Sequence, residues 1–332
     1  MRRVVVSLVG IVASAAAILI LLRSVDLGLT ARAIGAAQIA PLLPTLPLVA
    51  LGIWLRSWRW QRLLPEEGQS VPVRRIAPVV LIGYLGNSVL PARLGEPIRA
   101  YVLARQESLS FAAVFGTALL ERIVDLTVLA VMAFVAATVV GAPAWALQLL
   151  GIAALGGLAI IAVLAVFGLE PTLRFAHRLL APTRAGALDR FLGPLERFAR
   201  GMGGRSRRGP LVQASALSVF IWLTDGSICW LVASSLGLGL SLAGAVLVVG
   251  IGALGTSIPS APGYVGTYEL AMSTMARALG APPEAALGFA LVLHGITLIP
   301  VAIGGIVSLL AMGNGDLFSL VRAAQVEQEA PR

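Results

Sequence analysis

Lysine is absent from this sequence, and cysteine and histidine are scarce. The 332 residues include one cysteine, Cys229, and two histidines, His177 and His294. One cysteine excludes a disulfide framework within the chain, and no cluster of cysteine and histidine has the spacing of a zinc site. No Ser-His-Asp set is apparent either. We therefore expect a protein without a metal or cofactor that is not an enzyme.

Charge is also scarce, because only 12% of the residues are charged while 58% are hydrophobic. The mean hydropathy is +0.91. Soluble domains are roughly half apolar and a quarter charged. Several apolar runs of about 20 residues are long enough to cross a bilayer as helices, and no alternating strand pattern suggests a barrel. The sequence therefore predicts an all-α polytopic membrane protein.

Six apolar runs predict full crossings, at about residues 4–22, 41–58, 111–137, 145–169, 211–236 and 283–312. Two further apolar segments, 76–105 and 240–279, are interrupted by glycine and proline, and we predict that both are re-entrant hairpins. The total is then about six to eight transmembrane helices. The residues predicted to shape the hairpin turns are Asn87, Pro91, Gly95, Pro262, Gly263 and Gly266.

The net charge of +9 comes from 25 arginines. In a membrane protein this excess marks the cytoplasmic side, so we expect no nucleic-acid partner. Most arginines then lie on one side, which predicts cytoplasmic termini and a location in the plasma (inner) membrane. The segment WLRSWRWQRLL, residues 54–64, predicts a membrane boundary at which arginines contact anionic lipid headgroups. Residues 170–209 are predicted to form a cytoplasmic Arg-rich linker.

Two short motifs indicate an internal repeat. PARLGEP at residues 91–97 and PGYVGTYE at residues 262–269 share a proline, a glycine at the matching offset and a following acid. The copies lie in the two interrupted segments and are predicted to enter from opposite faces. This pattern is typical of transporters with inverted repeats and a site near the midplane. We predict one integral membrane domain, residues 1–332, with halves at about 41–169 and 211–312.

Charged residues concentrate in residues 83–125, within otherwise apolar sequence. Arg122 lies eleven residues into a predicted span, about 16 Å along a helix. Charges at such depth cost several kcal/mol unless they face a partner or a polar cavity. The predicted substrate-binding residues are Arg93, Glu96, Arg99, Glu121, Arg122, Asp125 and Glu269.

Two interpretations of these charges remain open. In the first, the arginines bind a lipid phosphate, while the acids hold them in place or bind a cationic part of the headgroup. The helix N-termini next to Pro97 and Gly266 would add backbone donors. In the second, Glu96–Arg99 and Arg122–Asp125 are closed ion pairs that fix helix packing. Asp225, inside another span, is a proton carrier, or a partner for Arg122 or for a backbone group.

The stretches GNSVLPARLGEPIRA, LLERIVD and PGYVGTYE resemble the flippase-like family that includes the transmembrane region of lysylphosphatidylglycerol synthase, or multiple peptide resistance factor. The resemblance implies a domain with two re-entrant hairpins that moves a lipid, such as aminoacylated phosphatidylglycerol, between leaflets. Lysyl-transferring members carry a catalytic domain after the membrane region, whereas only a short tail follows the last predicted span here. We therefore expect a member that does not charge a lipid itself.

The function expected on this basis is translocation of a phosphate-containing phospholipid, which can be aminoacylated, or of a lipid-linked intermediate. The alternative is an accessory subunit that does not transport and that serves a separate lipid- or glycan-modifying transferase. The expected partners are the lipid substrate, anionic headgroups at the cytoplasmic face, and either a second copy of the chain or the transferase.

Overall fold

The computed structural model of the protein describes residues 2–90, 94–167, 208–256, 260–313 and 317–329. Every regular element in these ranges is helical, which confirms the predicted all-α fold. In chain order the helices are α1 (Arg2–Ser24), α2 (Leu27–Gly35), α3 (Thr45–Leu63), α4 (Glu66–Gln69), α5 (Val73–Val89), α6 (Gly95–Gln106), α7 (Phe111–Val139), α8 (Ala144–Phe167), α9 (Arg208–Ser235), α10 (Leu242–Thr256), α11 (Thr267–Ala278), α12 (Pro283–Ala311) and α13 (Leu317–Glu329).

Five helices are long and apolar enough to cross a membrane: α3 with the turn before it, α7, α8, α9 and α12. A sixth span arises if α1 and α2, which meet at 86°, form one bent crossing. Asp26 caps α2 after this bend, because its side chain accepts a 2.9 Å hydrogen bond from the Leu29 N–H. The five long helices match the predicted runs 41–58, 111–137, 145–169, 211–236 and 283–312, and the first run, 4–22, lies within α1. The chain is a multi-pass membrane protein.

Two pairs of shorter helices occupy the segments predicted as hairpins. Helices α5 and α6 contact each other, and so do α10 and α11. We call the pair α5 and α6 the first hairpin and the pair α10 and α11 the second hairpin. A turn of 3-10 helix, Pro262–Tyr264, precedes α11, and φ is +67° at Gly263 and +89° at Gly266. Side chains rarely tolerate such φ values, so glycine suits both positions. Whether either pair re-enters the membrane stays a prediction, because helix packing does not define the membrane faces.

The two halves of the chain contact each other through several pairs of helices. Helix α3 packs against α9. The first hairpin packs on the second half through α5 and α12, and the second hairpin packs on the first half through α10 and α7. If α5 corresponds to α10 and α7 to α12, these two contacts are equivalent. The arrangement is what an inverted repeat would produce, and that repeat stays a prediction.

The C-terminal helix α13 was not expected from the sequence. It packs on α6, and Leu317, Leu320 and Ala324 are buried. The first hairpin is thus covered on its outer side by the end of the described chain. Most of the predicted Arg-rich linker, residues 170–207, lies outside the described residues, whereas residues 208 and 209 begin α9.

Candidate functional site

A cavity of about 290 Å³ lies where α3, α5, α7 and α9 to α12 meet, and therefore between the two halves of the chain. We call it the central cavity. Polar groups near the centre of a helix bundle in a membrane are costly and mark candidate ligand sites. The polar residues that line it are Arg56, Tyr84, Asn87, Ser88, Arg122, Asp125, Asp225, Thr256, Tyr264, Tyr268, His294 and Thr297.

Arg59 on α3 is the centre of a buried charge network next to the central cavity. Its guanidinium donates to Glu121 Oε1 at 2.7 Å and to Ser218 Oγ at 2.8 Å, and it pairs with Asp125. The Arg59 side chain is only 2% exposed. A charge removed from water to this extent needs such partners, since an unpaired one costs several kcal/mol. Arg59 therefore holds α3, α7 and α9 together and is not accessible to a ligand.

Glu121 extends the network to the first hairpin. Its second oxygen, Oε2, accepts a 2.8 Å hydrogen bond from Arg99 on α6. Arg99 also pairs with Glu96 Oε2 at 2.6 Å, and Glu96 Oε1 accepts a 2.8 Å hydrogen bond from Arg122. Acids and arginines therefore alternate along one continuous path, in the order Asp125, Arg59, Glu121, Arg99, Glu96 and Arg122.

Arg122 is the accessible end of this path. Its side chain is 39% exposed, compared with 9% for Arg99. Within the described ranges, Arg122 forms one ion pair, with Glu96, and its side chain lines the central cavity. A guanidinium has five N–H donors in a geometry that matches phosphate. Arg122 therefore has donors to spare for an anionic ligand.

The interpretation as closed ion pairs holds in part. Glu96 and Arg99 do pair, but Arg122 pairs with Glu96 and not with Asp125. Asp125 instead pairs with Arg59 and accepts a 3.0 Å hydrogen bond from Trp222 Nε1 on α9. The predicted Arg122–Asp125 pair was wrong because Arg59, from another helix, is the partner of Asp125.

Asp225 on α9 also has an arginine partner. Arg56 on α3 donates to its Oδ2 at 2.5 Å, and the two side chains are 16% and 23% exposed. Both line the central cavity. Asp225 therefore pairs with Arg56 and not with Arg122, the arginine considered from the sequence, because α3 packs against α9 and brings Arg56 next to Asp225.

The predicted membrane boundary at residues 54–64 is wrong for the inward face of α3. Arg59 and Trp60 are buried, and Trp60 Nε1 donates to Thr117 Oγ1 at 3.0 Å. Towards the end of the helix, Arg62 lies 5.9 Å from the ring centroid of Trp58, which is 37% exposed. Arginines of the same run therefore lie both in the interior of the bundle, as Arg59 does, and in a partly exposed position, as Arg62 does.

The second hairpin carries a smaller polar cluster. Glu269 Oε2 accepts a 2.7 Å hydrogen bond from the Gly266 N–H at the start of α11, and Oε1 is 2.5 Å from His294 Nδ1. The Tyr268 ring lies 4.5 Å from the His294 ring. Tyr268 and His294 are the members of this cluster that line the central cavity. Direct substrate binding by the buried Glu269 stays a prediction.

The turn of the first hairpin is held by Asn87, whose Oδ1 accepts a 2.9 Å hydrogen bond from the Gly95 N–H. A Cβ on Gly95 would collide with the carbonyl oxygen of Gly83 and with the Asn87 amide, so the close approach of α5 and α6 requires glycine. The first N–H group of α6 and the N-cap N–H of α11 are therefore already bound within the chain. Of the other turn and site predictions, Pro91 and Arg93 lie outside the described residues.

The structure brings together the predicted residues Glu96, Arg99, Glu121, Arg122 and Asp125. Sequence reasoning missed Arg56 and Arg59 as members of the site. A signal was present: Asp225 lies inside a span and needs a cation, and Arg56 and Arg59 are three residues apart and so share one side of α3. In the described ranges, no group of three or more His, Cys, Asp or Glu side chains is placed to hold a metal ion.

Comparison with known proteins confirms the resemblance drawn from the three motifs. The family model for the lysylphosphatidylglycerol synthase TM region matches residues 7–305. A relative, glycosyltransferase AglD from Haloferax volcanii, is 26% identical over 328 residues, which cover 85% of this chain and 51% of the relative. The chain therefore spans about half the length of this relative. These matches support a lipid-related membrane protein.

Proposed function

The chain belongs to the family of the lysylphosphatidylglycerol synthase TM region, and on this premise we propose that it moves a phosphate-containing lipid between leaflets. In this proposal the central cavity receives the lipid headgroup, and Arg122 binds its phosphate. The observation that carries the proposal is the position of Arg122, a partly exposed guanidinium in a cavity between the two halves of the chain.

A headgroup that crosses a bilayer needs a polar path through the hydrocarbon core. The central cavity supplies polar groups from both halves, and relative rocking of the halves would expose it to each side in turn. Glu96 orients Arg122 and is itself held by Arg99. Glu96, Arg99 and Glu121 therefore act as positioning residues, and Asp125 helps to anchor Arg59. The predicted plasma-membrane location with cytoplasmic termini belongs to the same proposal.

The proposal is tested by lipid scrambling in proteoliposomes that contain this chain alone. Headgroup-labelled phosphatidylglycerol, its lysyl ester and a polyprenyl phosphate are compared. Replacing Arg122 with Gln removes a charged hydrogen-bond donor worth about 1.5–3 kcal/mol, so movement should fall about 10- to 100-fold. Arg277→Gln is the matched control, because Arg277 is exposed at the end of α11.

Thermal unfolding of both variants separates loss of the site from loss of the fold. Reduced movement in Arg122→Gln with an unchanged unfolding temperature supports the site. Equal movement in the wild type and in Arg122→Gln contradicts it.

A second candidate is an accessory subunit that presents lipid-linked intermediates to a transferase. One observation favours it: the aligned region covers 51% of AglD, which is named a glycosyltransferase and thus has further chain beside this region. In this candidate a separate transferase supplies what the rest of AglD contains. Absence of scrambling of all three lipids by folded protein, together with a transferase that co-purifies with it, would favour this candidate.

A further inference from the structure

We propose that the central cavity selects headgroups that are anionic at the phosphate and otherwise uncharged and rich in hydroxyls, such as glycerol or a sugar, and that it rejects headgroups bearing an amine. This inference rests on the proposed function, since it takes the ligand to be a lipid headgroup. It narrows the substrate class, because aminoacylated lipids would be excluded.

The first argument is that the carboxylates facing the central cavity are already neutralised. Asp125 pairs with Arg59, and Asp225 pairs with Arg56. An ammonium group could reach either acid only by displacing an arginine or by lying next to it. Like charges that close together, away from water, cost several kcal/mol. Among the described residues, the central cavity therefore offers an amine no unpaired carboxylate.

The second argument is that a cation facing the cavity retains free donors. Arg122 is 39% exposed and, in the described part of the chain, forms one ion pair. A phosphate can add to its guanidinium without breaking the bond to Glu96, because the hydrogen bond to Glu96 uses Nη2 alone. A bound anion thus occupies the free donors of Arg122, whereas a bound cation would have to displace an arginine from its carboxylate or lie next to it.

The third argument is that the part of the cavity lined by α11 and α12 is polar but, among the described residues, carries no free carboxylate. Helices α11 and α12 supply Tyr268, His294 and Thr297 there. Glu269, the acid of this cluster, binds His294 and the Gly266 N–H with its two oxygens. Hydroxyl and imidazole groups hydrogen-bond to the hydroxyls of glycerol or a sugar. A headgroup with phosphate at one end and hydroxyls at the other fits both sides.

The experiment measures lipid binding separately from lipid movement. The protein is placed in phosphatidylcholine nanodiscs, and a labelled phosphatidylglycerol is displaced by phosphatidylinositol, phosphatidylethanolamine or lysyl-phosphatidylglycerol. We expect phosphatidylinositol to compete at least about tenfold better than either amine-bearing lipid, a difference of 1.4 kcal/mol. Equal or better competition by lysyl-phosphatidylglycerol would overturn the inference. Glycerol phosphate and inorganic phosphate form two further arms, and displacement by them as effective as by lipid would overturn the choice of a lipid ligand.

Removal of single charges from the cavity tests the reason for the selectivity. Arg56→Gln leaves Asp225 unpaired in the cavity, so the relative affinity for lysyl-phosphatidylglycerol should rise about tenfold. The double variant Arg56→Gln/Asp225→Asn removes both charges and should restore the preference for phosphatidylglycerol. Arg62→Gln is the control, because Arg62 lies in the last turn of α3 and does not line the central cavity. If Arg56→Gln does not fold, Asp225→Asn alone should strengthen phosphatidylglycerol binding, and unchanged selectivity in that variant would contradict the argument.

Parallel scrambling assays distinguish failure of the inference from failure of the proposed function. Movement of phosphatidylglycerol and its lysyl ester at equal rates, with equal binding, overturns the inference and leaves translocation intact. Selective binding without movement of any lipid supports the inference and overturns translocation.

Discussion

The two halves of the chain contribute different chemistry to the same cavity. Among the described residues, the first half places four arginines and three acids in or beside it, and all of these except Arg56 form one path from α3 through α7 to the first hairpin. The second half places Asp225 on α9, but its hairpin and α12 contribute a single histidine–carboxylate contact and several hydroxyls. Segments that resemble each other in turn sequence thus differ in charge.

This difference has a mechanical consequence. The first hairpin is joined to α7 by two ion pairs, Arg99–Glu121 and Glu96–Arg122. The second hairpin is joined to α12 by the contact between Glu269 and His294. Ion pairs buried in a bundle are costly to break, whereas a single hydrogen bond contributes less, about 1–3 kcal/mol. We therefore expect the first hairpin to be the rigid member and the second to open more readily.

The largest effect is expected for Arg59→Gln. This change removes the cation between Glu121 and Asp125 and leaves buried negative charge without its partner. Removing one partner of a buried ion pair costs about 3–5 kcal/mol. Chemical or thermal unfolding of the purified protein, followed by tryptophan fluorescence, measures the loss. Arg74→Gln is the control, because Arg74 is exposed at the start of α5. A loss no greater than that of the control would show that the network does not stabilise the first half.

A medium effect is expected for Gly95→Ala in the first hairpin. The new methyl group would collide with Gly83 and Asn87 and push α5 and α6 apart. Such overpacking costs about 1–3 kcal/mol. Gly156→Ala is the control, because a Cβ there meets nothing within 4 Å and alanine favours the helix. The two variants should therefore shift the unfolding temperature in opposite directions. A shift of the same sign in both would contradict the close approach of the two helices.

The sequence was sufficient to predict the spans and most of the first-half charges. Apolar runs of bilayer length predicted the five helices that are long and apolar enough to cross a membrane, and charged residues inside such runs indicated Glu121, Arg122 and Asp125. The physical reason is that both signals are local. One is the length of an apolar segment, and the other is the free-energy cost of a charged residue within that segment.

The partners of these charges could not be predicted in the same way. Arg59 and Asp125 are 66 residues apart, and Arg56 and Asp225 are 169 residues apart. Nothing in the local pattern distinguishes the buried Arg59 from Arg62, which lies next to the exposed ring of Trp58. The pairing is a property of helix packing. The pairing of α13 with α6 is of the same kind.

The smallest effect is expected for His294→Gln in the second half. Glu269 loses one hydrogen bond but keeps the Gly266 N–H, so the loss should be about 1 kcal/mol. Unfolding under the conditions used for Arg59→Gln gives the comparison, and Glu269→Gln shows how much the cap of α11 adds. If His294→Gln destabilises the protein as much as Arg59→Gln does, the second hairpin is as firmly held as the first. The expected difference in rigidity would then be wrong, and motion would have to arise elsewhere in the bundle, such as at the contact between α3 and α9.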